Sequence, residues 1–181
     1  MNYKKYVEEK KDLPTPYPIS TTAKDEKYFD ALERYCGNQY NYINSLLRLG
    51  RIPNADDNAV KQTEQTIKCL DEIINDAPQE NYKILYRVVS KEFYQKLQSE
   101  SILYEEGYLS ASKLKSWAED QAKIENKVVI KLEVEKEVKR IDVSKIKTEK
   151  LSGTEYEVLF QRDTVLRKSK NDKNTFIVSL T

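Results

Sequence analysis

Tyr82-Lys83-Ile84-Leu85-Tyr86-Arg87-Val88-Val89 is the stretch at which the chain changes character. Its β-branched and aromatic residues read as a strand. Upstream, apolar residues recur at helical spacing instead. Thr21 or Thr22 is placed to cap a helix running to about Tyr35, with Tyr28, Phe29, Leu32 and Tyr35 on one face. Gly37 interrupts, and Tyr40, Ile43, Leu46 and Leu47 then form a second buried stripe that Gly50 and Pro53 close. A third helix starts at Asp56 or Asp57, carries Val60, Ile67, Leu70, Ile73 and Ile74, and ends at Ala77-Pro78.

Downstream the pattern favours strands. Ser90 caps a short helix with Phe93 and Leu97 inward, 108–112 reads as a strand, and 113–123 as a helix holding Trp117. Val128, Ile130, Leu132 and Val134 then alternate as a half-buried strand, and 138–143, 156–160, 163–167 and 175–180 read as four more. Helices lead and strands follow, which predicts an α+β fold rather than alternating βαβ units. Residues 1–20 carry three of the five prolines and read as an extended lead-in to one domain over 21–181.

Composition narrows the chemistry. Basic and acidic residues nearly cancel, 31 against 30, so net charge makes no case for nucleic acid or membrane as partner. No apolar run reaches membrane-spanning length, and Met1 to Asp12 lacks the apolar stretch of a secretory signal. The expectation is a cytoplasmic monomer, or a protein carried into a target cell by separate machinery. Cys36 and Cys69 form neither a disulfide framework nor a zinc spacing and read as ordinary thiols. The lysine-rich runs from Lys145 to Lys150 and Lys168 to Lys173 read as solvated faces. With no histidine, His-activated nucleophiles and His-ligated metals are excluded, leaving acid–base work to carboxylates, Lys or Tyr. The four glycines, Gly37, Gly50, Gly107 and Gly153, are too dispersed for a Gly-rich phosphate loop.

Four segments stand out in order. They are Tyr35-Cys36-Gly37-Asn38-Gln39-Tyr40-Asn41-Tyr42-Ile43-Asn44-Ser45-Leu46-Leu47-Arg48, Leu85-Tyr86-Arg87, Gly107-Tyr108-Leu109-Ser110-Ala111-Ser112 and Glu155-Tyr156-Glu157-Val158-Leu159-Phe160. From about Asp30 onward the chain resembles the arginine–serine–glutamate branch of mono-ADP-ribosyltransferases, and within it the bacterial exoenzyme toxins. Tyr40, Ile43, Asn44, Leu47 and Arg48 match the helix pattern Tyr-x-x-Ile-Asn-x-x-Leu-Arg, followed by an aromatic-Arg strand, a Ser-x-Ser strand and a Glu-x-Glu pair. Two positions depart from the pattern: Val88 where many members have Gly, and Ala111 where the serine motif has Thr.

The resemblance implies two packed, mainly antiparallel sheets with N-terminal helices, and NAD in the cleft between them as co-substrate, without a metal. It implies that Arg87 grips the pyrophosphate with its fork of donors. Ser110, with Ser112 on the same face, would bond NAD or orient Glu157. Asn44 and Arg48 would contact the adenosine or phosphate side; the alternatives are a helix-surface residue and a cation at helix ends. Trp117 would stack on nicotinamide or else fill the core.

Cleaving the nicotinamide–ribose bond builds positive charge on the sugar, and a carboxylate nearby opposes that charge. Strand alternation would put Glu155 and Glu157 on one face with Tyr156 turned away. Glu157 would then serve the ribose, and Glu155, two residues nearer the loop at about 148–157, the acceptor. In this family the doublet implies a protein arginine. Transfer to RNA or DNA, hydrolysis of NAD by water, and a decayed domain used for binding are the alternative readings. An antitoxin or immunity protein is a further expected partner.

Overall fold

Helices come first in the computed structural model, which describes residues 23–79, 82–146 and 156–181. The lead-in over 1–20, the two threonines that would cap the first helix, and Glu155 lie outside the described residues. Helix α1 (Ala23–Arg34) buries Tyr28, Ala31 and Leu32. It passes into α2 (Tyr40–Leu49) through a wide π turn, Tyr35–Gln39, in which Gly37 leaves helical geometry. That kink resets the helical phase. The inward face of α2 becomes Ile43, Asn44 and Leu47, while Tyr40, expected in the stripe, is 47% exposed. Gly50 stops α2 in a left-handed cap, φ 65°, donating to Leu46 O at 2.9 Å. Helix α3 (Asp57–Asp76) starts where the Asp56 carboxylate accepts from Ala59 N at 2.7 Å, and it buries Leu70, Ile73 and Ile74.

The strands are β1 (Ile84–Val89), β2 (Ile102–Glu105), β3 (Leu109–Ser112), β4 (Val128–Val134), β5 (Arg140–Asp142), β6 (Glu157–Phe160), β7 (Thr164–Lys168) and β8 (Thr175–Leu180). Helix α4 (Lys91–Ser99), capped by Ser90, follows β1, and α5 (Lys115–Ile124) follows β3. The order across the sheet is β2-β7-β8-β4-β1-β3-β6-β5, antiparallel except for the parallel pair β4–β8. β2 was not anticipated from the sequence. Lys145, at the head of a lysine run read as solvated, is buried in a 3₁₀ turn, Val143–Lys145.

The ladder is continuous, but it is bent. β1 and β3 share a single paired position, Tyr86 with Ser112. Across that seam the two wings fold face to face. Leu109, Ala111, Val158 and Phe160 of one wing share a core with Leu85, Ile130, Leu132, Leu166, Phe176 and Val178 of the other. The two-layer arrangement is therefore present, with the layers joined at one edge. The opposite face of the smaller wing, bearing Tyr108 and Leu159, packs on α1 and α3. By strand alternation Ser110, Ser112 and Glu157 lie on this helix-facing side, at the seam.

Candidate active site

β6 aligns on β3 with Ser112 opposite Glu157 and Ser110 opposite Leu159. The Glu157 carboxylate receives side-chain hydrogen bonds from Cys36 and Ser110. Burial pushes this carboxyl above its ordinary value, while the bonds from Cys36 and Ser110 and the charge of Arg87 pull it down. Cys36, read from sequence as an ordinary thiol, is thus part of the carboxylate's surroundings, delivered by the π turn between α1 and α2.

Arg87 reaches in from β1. Its Nη1 donates to the main-chain oxygen of Ser110, so a guanidinium ties the two wings where the backbone ladder gives out. Its Nε is buried and has no hydrogen-bond partner among the described residues. Burial lowers the Arg87 pKa; Tyr35, Glu105 and Glu157 oppose that and Arg48 adds to it. A buried cation with an unused donor is suited to an anionic ligand, whose oxygen would satisfy it.

Arg87 and Val88 stand between two clefts. One, of about 100 Å³, is lined by Tyr86, Ser110, Ser112, Trp117 and Glu157. The other, of about 370 Å³, is lined by Arg48, Phe93, Lys96, Tyr104 and Glu105. Val88, where the family pattern has Gly, borders both. Trp117 packs on Leu114 and Tyr156 and also lines the smaller cleft.

Asn44 and Arg48 share one side of α2 but do different work. Asn44 is buried, and its amide is committed to a strand: Oδ1 accepts from Tyr108 N at 3.0 Å, and Nδ2 lies 3.4 Å from Tyr108 O. The Tyr35 hydroxyl donates to the same carbonyl at 3.0 Å, and its ring meets Tyr108 edge-on. Arg48 forks onto the buried Glu105 carboxylate at 2.7 and 2.9 Å while its side chain stays 42% exposed toward the larger cleft. Glu105 Oε1 also accepts from Gly107 N at 2.8 Å. Asn44 is therefore a clamp on the start of β3, and Arg48 is the cleft-facing member.

Ser112 accepts from Leu114 N at 3.1 Å, which shapes the turn into α5. Tyr156 has φ 50°, left-handed for a tyrosine. β6 begins at Glu157, and Glu155, expected by strand alternation to share its face, lies outside the described residues. Tyr35, Cys36 and Glu105 were missed in the sequence because each acts on a partner distant along the chain. Among the described residues no group of three acidic or cysteine side chains is arranged to hold a metal. No described helix is long and apolar enough to cross a membrane.

The model for ADP-ribosyltransferase exoenzymes matches residues 2–177. This chain belongs to the ADP-ribosyltransferase exoenzyme family. Its NAD-dependent transferase activity follows from that membership, with NAD as co-substrate. Three solved structures show the shared fold. The ADP-ribosyltransferase Vis of Vibrio splendidus, solved with agmatine, is 19% identical over 97% of this chain and 81% of its own, TM-score 0.61. Exoenzyme S of Pseudomonas aeruginosa, solved with human 14-3-3 protein beta and carba-NAD, is 18% identical over 85% and 72%, TM-score 0.57. An ADP-ribosyltransferase of Clostridium botulinum is 16% identical over 92% and 99%, TM-score 0.56. No curated protein sequence matches the chain.

Proposed function

We propose that this ADP-ribosyltransferase uses Glu157 as its catalytic carboxylate and a protein arginine as its acceptor. The observation that carries the reading is the convergence of Ser110, Arg87 and Glu157 on one seam, beside two clefts that meet at Arg87. The smaller cleft would take the nicotinamide–ribose end, with Trp117 as its wall. Arg87 would offer its unused Nε to the pyrophosphate, and Arg48 would face the adenosine side with one edge of its fork held by Glu105. Asn44 and Ser112 would contribute by positioning β3 and the turn after it. As the nicotinamide–ribose bond breaks, the bonding pair leaves with nicotinamide. The ribose gains positive charge, which an ionised Glu157 opposes across a short, water-poor distance. The acceptor nitrogen then bonds the ribose carbon and gives up a proton.

The acceptor assignment rests on the Glu155–Glu157 doublet and on agmatine, a guanidine, in complex with Vis. Glu155 would meet the incoming guanidinium, for which a carboxylate is the matching partner. From its family membership we infer further that the protein is a toxin carried into its target cell by separate machinery. The experiment is paired: nicotinamide release without acceptor, and incorporation of labelled ADP-ribose into an arginine-rich protein and into RNA. Glu155→Gln should cut transfer to protein arginine and leave hydrolysis largely intact. Label in RNA but not in protein overturns the arginine assignment. Equal loss of both activities would mean that the two glutamates serve one step.

A further inference from the structure

Lys113 directly follows the Ser-x-Ser strand, and its ammonium is buried. Lys113 Nζ lies 2.7 Å from Asp142 Oδ2, with side-chain exposures of 5% and 0%. The same Nζ donates to Ser144 Oγ at 2.6 Å, and Ser144 Oγ donates to Asp142 Oδ1 at 2.6 Å. The Tyr82 hydroxyl donates to Asp142 Oδ2 at 2.6 Å, and its ring centroid lies 5.4 Å from Nζ.

The topology gives this cluster its meaning. β6 runs between β3 and β5. Ser112, the last residue of β3, pairs with Glu157, and Asp142, the last of β5, pairs with Val158. Lys113, one position past Ser112, and Asp142 therefore flank the start of β6 from opposite sides. The ion pair bridges two inter-strand spacings, about 9.5 Å. The main chain of Lys113 reaches the same place, because its N–H donates to Tyr156 O at 3.0 Å. Tyr156 is the left-handed residue, a conformation that costs a non-glycine residue about 1–2 kcal/mol and persists where its surroundings hold it. A buried ion pair is a poor source of net stability, since desolvating each ion costs several kcal/mol. What it supplies here is a fixed distance.

We propose that Lys113 is the positioning residue for Glu157: its side chain straps β3 to β5 across the start of β6, and its amide holds Tyr156 in the conformation that presents the carboxylate to Ser110. This rests on the reading of Glu157 as the catalytic group. Arg87 and Arg48 sit on other elements and should keep their grip on NAD when the strap is cut.

Lys113→Met alone strands the Asp142 charge, so the test is the double variant Lys113→Met/Asp142→Asn, which removes both charges together. Folding is checked by circular dichroism, and nicotinamide release is measured across NAD concentrations. The expected result is a folded protein whose kcat falls about 10- to 100-fold, the scale of a sub-ångström to 1 Å misplacement, with KM for NAD within about twofold. Should the double variant not fold, Ser144→Ala removes one arm of the strap without burying a charge and carries the same test. Lowered kcat at unchanged KM supports the strap, and unchanged kcat overturns it. Glu157→Gln runs alongside. An active Glu157→Gln sinks the catalytic assignment itself. An inactive Glu157→Gln beside a fully active strap variant sinks the role of Lys113 alone.

Discussion

Gly107→Ala tests how helix α2 is registered against the Ser-x-Ser strand. A Cβ at Gly107 would stand 2.6 Å from Asn44 Oδ1, 3.0 Å from Asn44 Cγ and 3.1 Å from Glu105 Oε1, where ordinary contact begins at 3.4 Å. Relief from 2.6 to 3.4 Å requires Oδ1 to retreat by about 0.8 Å. That atom accepts from Tyr108 N at 3.0 Å, so a retreat directed along that bond would carry it out of hydrogen-bond range. Asn44 is 7% exposed, which leaves little room for water to replace it. An unsatisfied buried N–H costs about 1–3 kcal/mol, and displacement of the Glu105 oxygen from Gly107 N adds roughly 1 more. A loss of about 2–4 kcal/mol should lower the melting temperature by roughly 5–15 °C for a chain of this size. Arg48 lies one turn beyond Asn44 and shares Glu105 with Gly107, so KM for NAD should rise as well. The assay is a thermal melt followed by initial rates below the new transition. A melting temperature within about 2 °C of wild type, with unchanged KM, would refute the reasoning.

Glu157→Gln should lower both transfer and hydrolysis by about 10²–10³, the usual cost of one such electrostatic contact; retention of more than about a tenth of the activity removes Glu157 from the chemistry. The same substitution should stabilise the fold at neutral pH. The folded carboxyl is held above its unfolded value of about 4.3, so the penalty for ionising it is absent below that value and complete above the folded one. The melting advantage of the Gln variant should therefore grow as pH rises through that window and vanish in acid; equal melting at all pH values contradicts the burial argument. In the wild type, the acid limb of kcat/KM should lie above the ordinary carboxylate range. Cys36→Ala removes a hydrogen bond that favours the ionised form and should move that limb to still higher pH, so an unmoved limb places the thiol outside the carboxylate's surroundings. Arg87→Lys keeps the charge and loses the fork, and NAD affinity by calorimetry should weaken about 10- to 150-fold, as expected for losing one charged hydrogen bond; an unchanged affinity removes Arg87 from NAD binding.

The helices and most strands were legible because their burial follows the sequence period, as in Leu70, Ile73 and Ile74 of α3 or Leu85 and Val89 of β1. β2 was not, because its pattern is inverted. Ile102 and Tyr104 face outward at 45% and 68% exposure, while the inward pair includes an acid, Glu105, that only Arg48 and Gly107 N make tolerable. Arg87, Ser110 and Glu157 were readable as motif residues, and the fold brings them to one seam. The roles of Asn44, Cys36 and Lys113 were hidden for a common reason. Each acts through one partner far along the chain, Tyr108, Glu157 and Asp142 respectively, and local periodicity carries no information about such pairs. Glu155, expected beside Glu157 by strand alternation, lies outside the described residues, and no periodicity announced the left-handed φ of its neighbour Tyr156.

A ladder joined at one rung behaves mechanically as a hinge. On one side of it the two wings are sealed by a shared apolar core, and widening there would expose Leu109, Phe160 and Phe176 to water. On the other side the joint is spanned by the Tyr86–Ser112 pair and the bond from Arg87 to Ser110 O. Opening on the cleft side should therefore cost less than separation on the core side, which would give any widening of the joint a preferred direction. Arg87 would report such a widening: its guanidinium would have to let go of one wing, and an anion bridging the Nε that has no partner among the described residues would draw the joint closed.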